Sequence, residues 1–420
     1  MSQPVRILLA LVLGLLGGIG IAQVSAAATH GGIVAAQFVG TVWLNALQMT
    51  VIPLVVSLLV TGVASTAEAA NAGKLAARTI VLLMVLLVVD ATVAAIVTPL
   101  ILDAVPIPAD AARALRSALT GMAQTQTAPP PLAEQLAAIV PTNVFAAATN
   151  GALLSLIVFA LVFAFALTRI DADARAQVVG LFAAIRDAML VVVGWVLWLA
   201  PLGVFSLAFL VGARAGSAAF GALVHYMAVI SAIGLVVVLV AYLVVAVGAR
   251  VPLARFARQA VPAQVFAVST QSSLATLPAM LKAVGGMGVP TVASGVTLPL
   301  GVAMFRATQP AMNLAIAIYI GRWFGVEVSP VATAAAVLVG AVTSLGSISL
   351  PSQLTFFASV VPIASALGVP LTPLGLLIAV ETIPDIFRTL GNVTSNLALT
   401  AVVTRDQRAD VGMPLPETIP

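Results

Sequence analysis

The sequence predicts an all-α polytopic membrane protein, and three observations carry that expectation. Of 420 residues, 61% are hydrophobic and only 8% charged, more apolar surface than a soluble domain can bury. Apolar stretches long enough to span a bilayer recur at roughly 6–28, 35–64, 78–102, 140–168, 177–210 and 222–248. Beyond residue 250, two further long segments are each interrupted midway by a serine-rich, proline-ended tract.

Taken in order, the first apolar run follows Arg6 and exceeds a secretory signal core, so it reads as a retained first span. The Ala- and Pro-rich connection from Asp103 to Pro141 reads as a flexible loop. The interrupted segments run from Arg258 to Pro290 and from Ser329 to Pro370. Their breaks are S-T-Q-S-S-L-A-T-L-P (Ser269 to Pro278) and T-S-L-G-S-I-S-L-P-S (Thr343 to Ser352). Serine favours helix caps and proline cannot continue a helix, so each tract predicts a tight tip between two half-helices. Such paired, interrupted segments point to a transporter site built on an internal repeat. Between them, the stretch from Thr291 to Phe324 is apolar but broken around Phe305 to Pro310.

The last apolar segment, Leu371 to Val403, contains E-T-I-P-D-I-F-R-T-L-G-N-V-T-S-N. On a helix, Glu381, Asp385, Arg388, Asn392 and Asn396 share one face. An ionised side chain at mid-bilayer costs about 2.5–3.5 kcal/mol, so three on one stripe predict a substrate or ion site. Mutual neutralisation of Asp385 and Arg388 in a packed core is the plainer alternative.

Basic residues set the orientation. If both interrupted segments re-enter without crossing, Arg6, Lys74, Arg78, Arg250 and Arg405 fall with most other basic residues on the amino-terminal side. Only Arg113, Arg116, Arg214 and Arg322 fall opposite, and Arg306 and Arg388 lie within the membrane. By the positive-inside rule this predicts eight transmembrane helices, two re-entrant helical hairpins and both termini cytoplasmic, in the cell inner (plasma) membrane. The net charge of +4 lies in scattered positions without interleaved aromatics, so no nucleic-acid partner is expected. Absence of cysteine removes thiol catalysis and thiolate metal sites.

Several collinear motifs then carry a family resemblance. I-V-P-T-N-V-F-A-A-A-T-N-G (Ile139 to Gly151), A-P-L-G-V-F (Ala200 to Phe205), S-S-L-A-T-L-P, L-P-L-G (Leu298 to Gly301) and D-I-F-R-T-L-G-N-V-T together resemble the dicarboxylate/amino acid:cation symporter family. The resemblance implies a homotrimer and an elevator-type transporter fold with inverted repeats. Its scaffold would comprise residues 1–70 and 140–215 and its moving transport domain 71–104 and 216–405, with an external loop at 105–139 and a cytoplasmic tail at 406–420. It further implies a small anionic substrate (aspartate, glutamate or a C4-dicarboxylate), membrane lipid around the spans, and no cofactor beyond Na+ or H+ as coupling ion.

At matching positions the resemblance implies that Arg388 binds the substrate's side-chain carboxylate, for which a planar guanidinium fork is suited. Asp385 would face the amino group, Asn392 would hold the main carboxylate, and Thr389 would line the same face. Ser272 and Ser273 at the first tip, and Ser347, Ser349 and Pro351 at the second, would add backbone N–H groups. Gln309 would lie near the distal carboxylate.

Where the family carries N-M-D-G-T, with sodium-binding oxygens, this sequence has F-R-A-T-Q (Phe305 to Gln309). Phe305 and Ala307 offer no side-chain oxygen, while hard cations want several. Asn396 stands where the family has a carboxylate, and Val89 and Asp90 replace hydroxyl ligands. No metal site is therefore assigned, and a remaining sodium site would depend on backbone carbonyls near Thr308. The expectation is that Arg306 and Asp90 pair, the guanidinium standing in for the metal; the alternative is that Arg306 reaches a water-filled cavity. Glu381 is a candidate proton carrier, or else meets water at the cavity mouth. The expected activity is secondary transport with reduced or proton-based coupling. Sodium coupling through carbonyls, substrate exchange and an anion channel are the alternatives. No Ser/His dyad or metal-ligand set supports an enzyme, and His30 and His225 lack ligand spacing.

Overall fold

A computed structural model describes residues 3–24, 26–71, 73–120, 140–216, 218–346 and 352–407. Within them the regular structure is helical. The amino-terminal part comprises α1 (Gln3–Val24), α2 (Ala26–Gln48), α3 (Val51–Asn71), α4 (Lys74–Ala104) and α5 (Ala109–Thr120). Then come α6 (Val144–Thr149), α7 (Leu153–Leu167), α8 (Ala172–Trp198), α9 (Ala200–Ala215) and α10 (Ala218–Gly248). Among the described residues, five stretches are long and apolar enough to cross a membrane: Gln3–Val24, Thr29–Asn71, Lys74–Ala104, Ala172–Trp198 and Phe220–Gly248.

Three apolar runs that read as single elements are divided. The run at 35–64 breaks at Met49 and Thr50, and the Thr50 hydroxyl turns back to the Leu47 carbonyl at 2.8 Å. The run at 140–168 breaks at Asn150 and at Gly151, whose φ of +68° suits glycine. The run at 177–210 breaks at Leu199, just before Pro201, which occupies the first turn of α9 where its missing N–H costs nothing. Hydrophobicity hides such breaks, because both halves are apolar.

The carboxy-terminal part supplies the half-helices. The first pair is α11 (Leu253–Thr270) and α12 (Leu277–Gly286). Gln271, at φ 51°, ends α11 in the left-handed conformation. Ser272 Oγ then accepts the Ala275 N–H at 3.2 Å, and Thr276 Oγ1 donates to the Ser272 carbonyl at 2.7 Å. Next come α13 (Thr291–Met304) and α14 (Thr308–Phe324), separated by Phe305, Arg306 and Ala307, with Phe305 extended. The second pair is α15 (Pro330–Thr343), capped by Ser329, and α16 (Ser352–Ala366), with a short 3-10 turn at Ser344–Gly346. Ser347, Ser349 and Pro351 lie outside the described residues.

The final helix is shorter than the sequence suggests. After a four-residue helix, α17 (Leu374–Leu377), the chain turns, and α18 runs only over Thr382–Val403. Pro384 sits in its first turn, where a helix tolerates proline. Glu381 is therefore the residue capping α18, not a member of a continuous span.

Packing groups the helices. α1 lies against α9 closely enough that a Cβ on Gly14 or Gly18 would strike the carbonyls of Phe205 or Phe209. This small-residue contact suits a lipid-embedded helix pair. α3 packs on α7 and α8, whereas α4 packs on α13, α14 and α15, and α10 on α18. Along α4, Val81, Val85, Val89, Ile96 and Leu100 are exposed, as are Leu235, Leu239 and Leu243 along α10. Uncharged outward rows of this kind are stable in hydrocarbon and costly in water.

The ends of the bundle are marked by charge. Arg78 and Arg250 reach Asp406 at 3.4 and 3.9 Å, gathering the start of α4 and the ends of α10 and α18. At the opposite end of α4, Asp103 meets Arg322 at 2.6 Å, and Arg116 donates to the Trp323 carbonyl. Exposed pairs contribute at most about 1 kcal/mol, so their value here is as markers of which ends lie together.

Candidate functional site

The start of α18 and the break before α14 meet in the protein interior. Arg388 is 4% exposed, yet every nitrogen of its guanidinium faces a polar group. Nη2 donates to Glu381 Oε1 at 2.5 Å and Nη1 to Asn313 Oδ1 at 3.0 Å, while Nε lies 3.5 Å from Asp385 Oδ1 without a hydrogen bond. Glu381, 1% exposed, also accepts from the Tyr226 hydroxyl of α10 at 3.0 Å. Glu381 is thus buried and held on both oxygens, which rules out the alternative of a carboxylate in water at the cavity mouth. A buried ion pair can persist when its remaining hydrogen-bonding capacity is met in this way.

The break itself is pinned from α18. Thr308 donates its N–H and its hydroxyl to Asn392 Oδ1, at 3.0 and 2.9 Å, and its hydroxyl also lies 3.1 Å from the Arg388 carbonyl. Asn392, expected to hold a substrate carboxylate, uses its Oδ1 to brace the unwound turn. Gly391 makes that approach possible, since a Cβ there would overlap Thr308 Cγ2. One helix further, Asn396 Oδ1 lies so close to Gly301 that any side chain at Gly301 would collide with it. The glycines of T-L-G-N and L-P-L-G are therefore contact points between α18 and its neighbours.

A small cavity of about 10 Å³ adjoins Arg388, lined by Arg306, Gln309, Asn313, Thr355, Phe356 and Ser359 as well. That is roughly the space of one water. Arg306 and Arg388 thus open on the same cavity, with Asp385 and Arg388 the charged groups near enough to act on Arg306. Two carboxylates and two guanidiniums leave the cluster formally neutral, which makes its burial tolerable.

Several expected site residues stand elsewhere. Ser272 is absorbed in the turn described above and, like Ser273, does not line the cavity. The Thr389 hydroxyl donates to the Asp385 carbonyl at 3.0 Å, one helical turn back. Asp90 does not pair with Arg306: both of its oxygens are sealed and accept no hydrogen bond, and it makes no ion pair among the described residues. Asp90 is buried and does not line the cavity on which Arg306 opens. His225 bridges the Tyr319 hydroxyl and the Val105 carbonyl at 3.0 and 2.9 Å, a structural role near the end of α4.

Tyr226 and Asn313 are site residues that the sequence reading missed. Each left a signal. Tyr226 is one of the few hydroxyls in a strongly apolar span, and Asn313 lies one helical turn beyond Gln309 on α14.

Comparison with known proteins matches this framework over residues 4–406 to the model of the sodium:dicarboxylate symporter family. The chain belongs to that family. Members of the sodium:dicarboxylate symporter family are transporters and not enzymes. Among similar proteins, a proton/sodium-glutamate symport protein of Bacillus subtilis (strain 168) is 29% identical over 65% of this chain and 62% of its own. A proton/glutamate-aspartate symporter of Escherichia coli (strain K12) is 26% identical over 64% and 61%. C4-dicarboxylate transport protein 1 of Pseudomonas aeruginosa (strain UCBPP-PA14) is 27% identical over 68% and 63%. The match spans about three fifths of the length of these curated relatives.

Proposed function

We propose that this member of the symporter family is a secondary transporter of acidic amino acids or C4-dicarboxylates, with coupling that is reduced or proton-based. The observation that carries the reading is Arg388, buried in the protein interior, opening on a donor-lined cavity and held by Glu381 and Asp385. An intramembrane guanidinium so arranged is suited to take a carboxylate. The substrates named for the glutamate, aspartate and C4-dicarboxylate relatives support the class.

The coupling follows from what surrounds the break at Phe305 to Ala307. No side-chain oxygen is offered there by Phe305 or Ala307, and Asn396 carries no charge. Glu381, already sharing Arg388 with Asn313, is the group a substrate carboxylate would displace, and a displaced carboxylate in a buried site favours taking up a proton. A second reading, a sodium site built from main-chain carbonyls, draws support from the unwound backbone at Phe305. The grouping of α4 with α13, α14 and α15, and of α1 with α9, supports an elevator in which residues 71–104 and 216–405 move against residues 1–70 and 140–215. Eight spans, two re-entrant hairpins, a homotrimer and cytoplasmic termini belong to the same proposal.

Uptake of labelled aspartate and succinate into proteoliposomes, under separately imposed sodium and proton gradients, tests it. Accumulation driven by the proton gradient, or exchange without either, is expected. A steep requirement for sodium would establish the second reading, and conductance without saturable uptake would replace a carrier by a channel.

A further inference from the structure

We propose that the charged end where α4, α10 and α18 meet is a binding site for the headgroup phosphate of an anionic phospholipid, whose acyl chains lie along the outward faces of α4 and α10.

A surplus of cationic donors carries the argument. Arg78 of α4, Arg250 just beyond α10 and Arg405 just beyond α18 converge on one carboxylate, Asp406, at 3.4, 3.9 and 3.5 Å. Three guanidiniums against one carboxylate leave two positive charges uncompensated within the cluster. Of these contacts only that of Arg78 is a hydrogen bond, and Nε of Arg405 makes none, although each guanidinium offers five N–H donors. The three side chains are 45%, 74% and 38% exposed, so a group arriving from outside can reach them. Arg250 also turns the chain at φ 52°, where glycine would sit without strain, so its guanidinium is placed there at a backbone cost. A phosphate brings the charge and the acceptor oxygens that one carboxylate leaves unmet.

The surroundings select a lipid over a soluble anion. Val81, Val85 and Val89 follow Arg78 along one face of α4, and all three are exposed. On α10 the exposed row of Leu239, Leu243 and Val247 ends three residues before Arg250. α4 packs against α10, and Arg78 and Arg250 both meet Asp406, so the two apolar rows run out at the same charged point. An amphiphile satisfies both surfaces at once, with its phosphate among the guanidiniums and its chains over the valines and leucines. A free phosphate or an acidic peptide would answer only the charge.

Native mass spectrometry of the purified full-length protein tests the site, with release from micelles holding equal amounts of phosphatidylglycerol and phosphatidylcholine of matched chains. Wild type should retain phosphatidylglycerol in preference. Arg78→Gln combined with Arg250→Gln should weaken phosphatidylglycerol by about 25-fold, at about fivefold for each basic side chain near an anionic headgroup. Lys282→Gln, at an exposed basic position outside the cluster, should change nothing. Asp406→Asn should tighten retention, because the competing carboxylate is gone, whereas a purely structural role for Asp406 predicts the reverse. Inorganic phosphate added as a competitor should not displace the lipid. Equal retention of the two lipids by wild type, an unchanged preference in the double variant, an equal loss in Lys282→Gln or a fall in Asp406→Asn would overturn the site. Displacement by inorganic phosphate would replace the lipid by a soluble anion.

Discussion

Arg388 donates through Nη2 to Glu381 Oε1 at 2.5 Å, joining the capping residue of α18 to the side chain two turns within it. Under the proposed function, this contact occupies the guanidinium edge that a substrate carboxylate would need, and substrate binding and release of the pair would be one event.

Replacing Glu381 with Gln should keep the acceptor but remove the rival charge. Proton-driven accumulation is expected to fall while exchange persists, as proteoliposome assays with and without a pH gradient can resolve. Undiminished accumulation would locate the coupling proton elsewhere.

Tyr226→Phe removes the second donor to Glu381 and should cost about 1 kcal/mol of stability. Combined with Glu381→Gln, the losses should depart from additivity by about 0.5–3 kcal/mol, because the residues touch. Denaturant or thermal unfolding of the four proteins in detergent measures the cycle, and simple additivity would contradict the contact.

Arg388→Gln leaves the buried Glu381 carboxylate and the half-buried Asp385 without this cation. A loss of about 3–5 kcal/mol is the rough scale for breaking a buried pair, together with loss of acidic-substrate binding. Arg388→Lys should recover more of the thermal stability than of the binding.

Asp90→Asn should raise the melting temperature. Both oxygens of Asp90 are sealed without a donor, so its charge is a burden that the amide does not carry. A marked fall in melting temperature would reveal a role for the carboxylate in holding α4.

Gly301→Ala forces a methyl group into Asn396 Oδ1 and should destabilise by about 1–3 kcal/mol. Asn396→Ala on the same background should recover much of that loss, which thermal unfolding of the double variant would register.

Much of the frame was legible because its signals are local. The serine and proline tract ending at Pro278 announced a tip between half-helices, and F-R-A-T announced a break in an apolar run. The polar face of α18 was legible from spacing alone. What stayed hidden depends on contacts between distant segments. Nothing near Asn392 in sequence indicates that its amide would brace Thr308, and nothing near Glu381 indicates Tyr226. The expected pairing of Asp90 with Arg306 failed for the same reason: complementary charge identifies possible partners, but helix rotation decides which side chains meet. Apolar continuity likewise concealed the divisions at Thr50 and Leu199, where geometry changes without any change in polarity.

Thr308 touches both the Asn392 amide and the Arg388 carbonyl, so the loosened turn and the anion-seeking helix are fastened by one hydroxyl. A tug on either is transmitted directly to the other. If Arg388 takes the solute of the proposed function, that hydroxyl carries its occupancy to the start of α14.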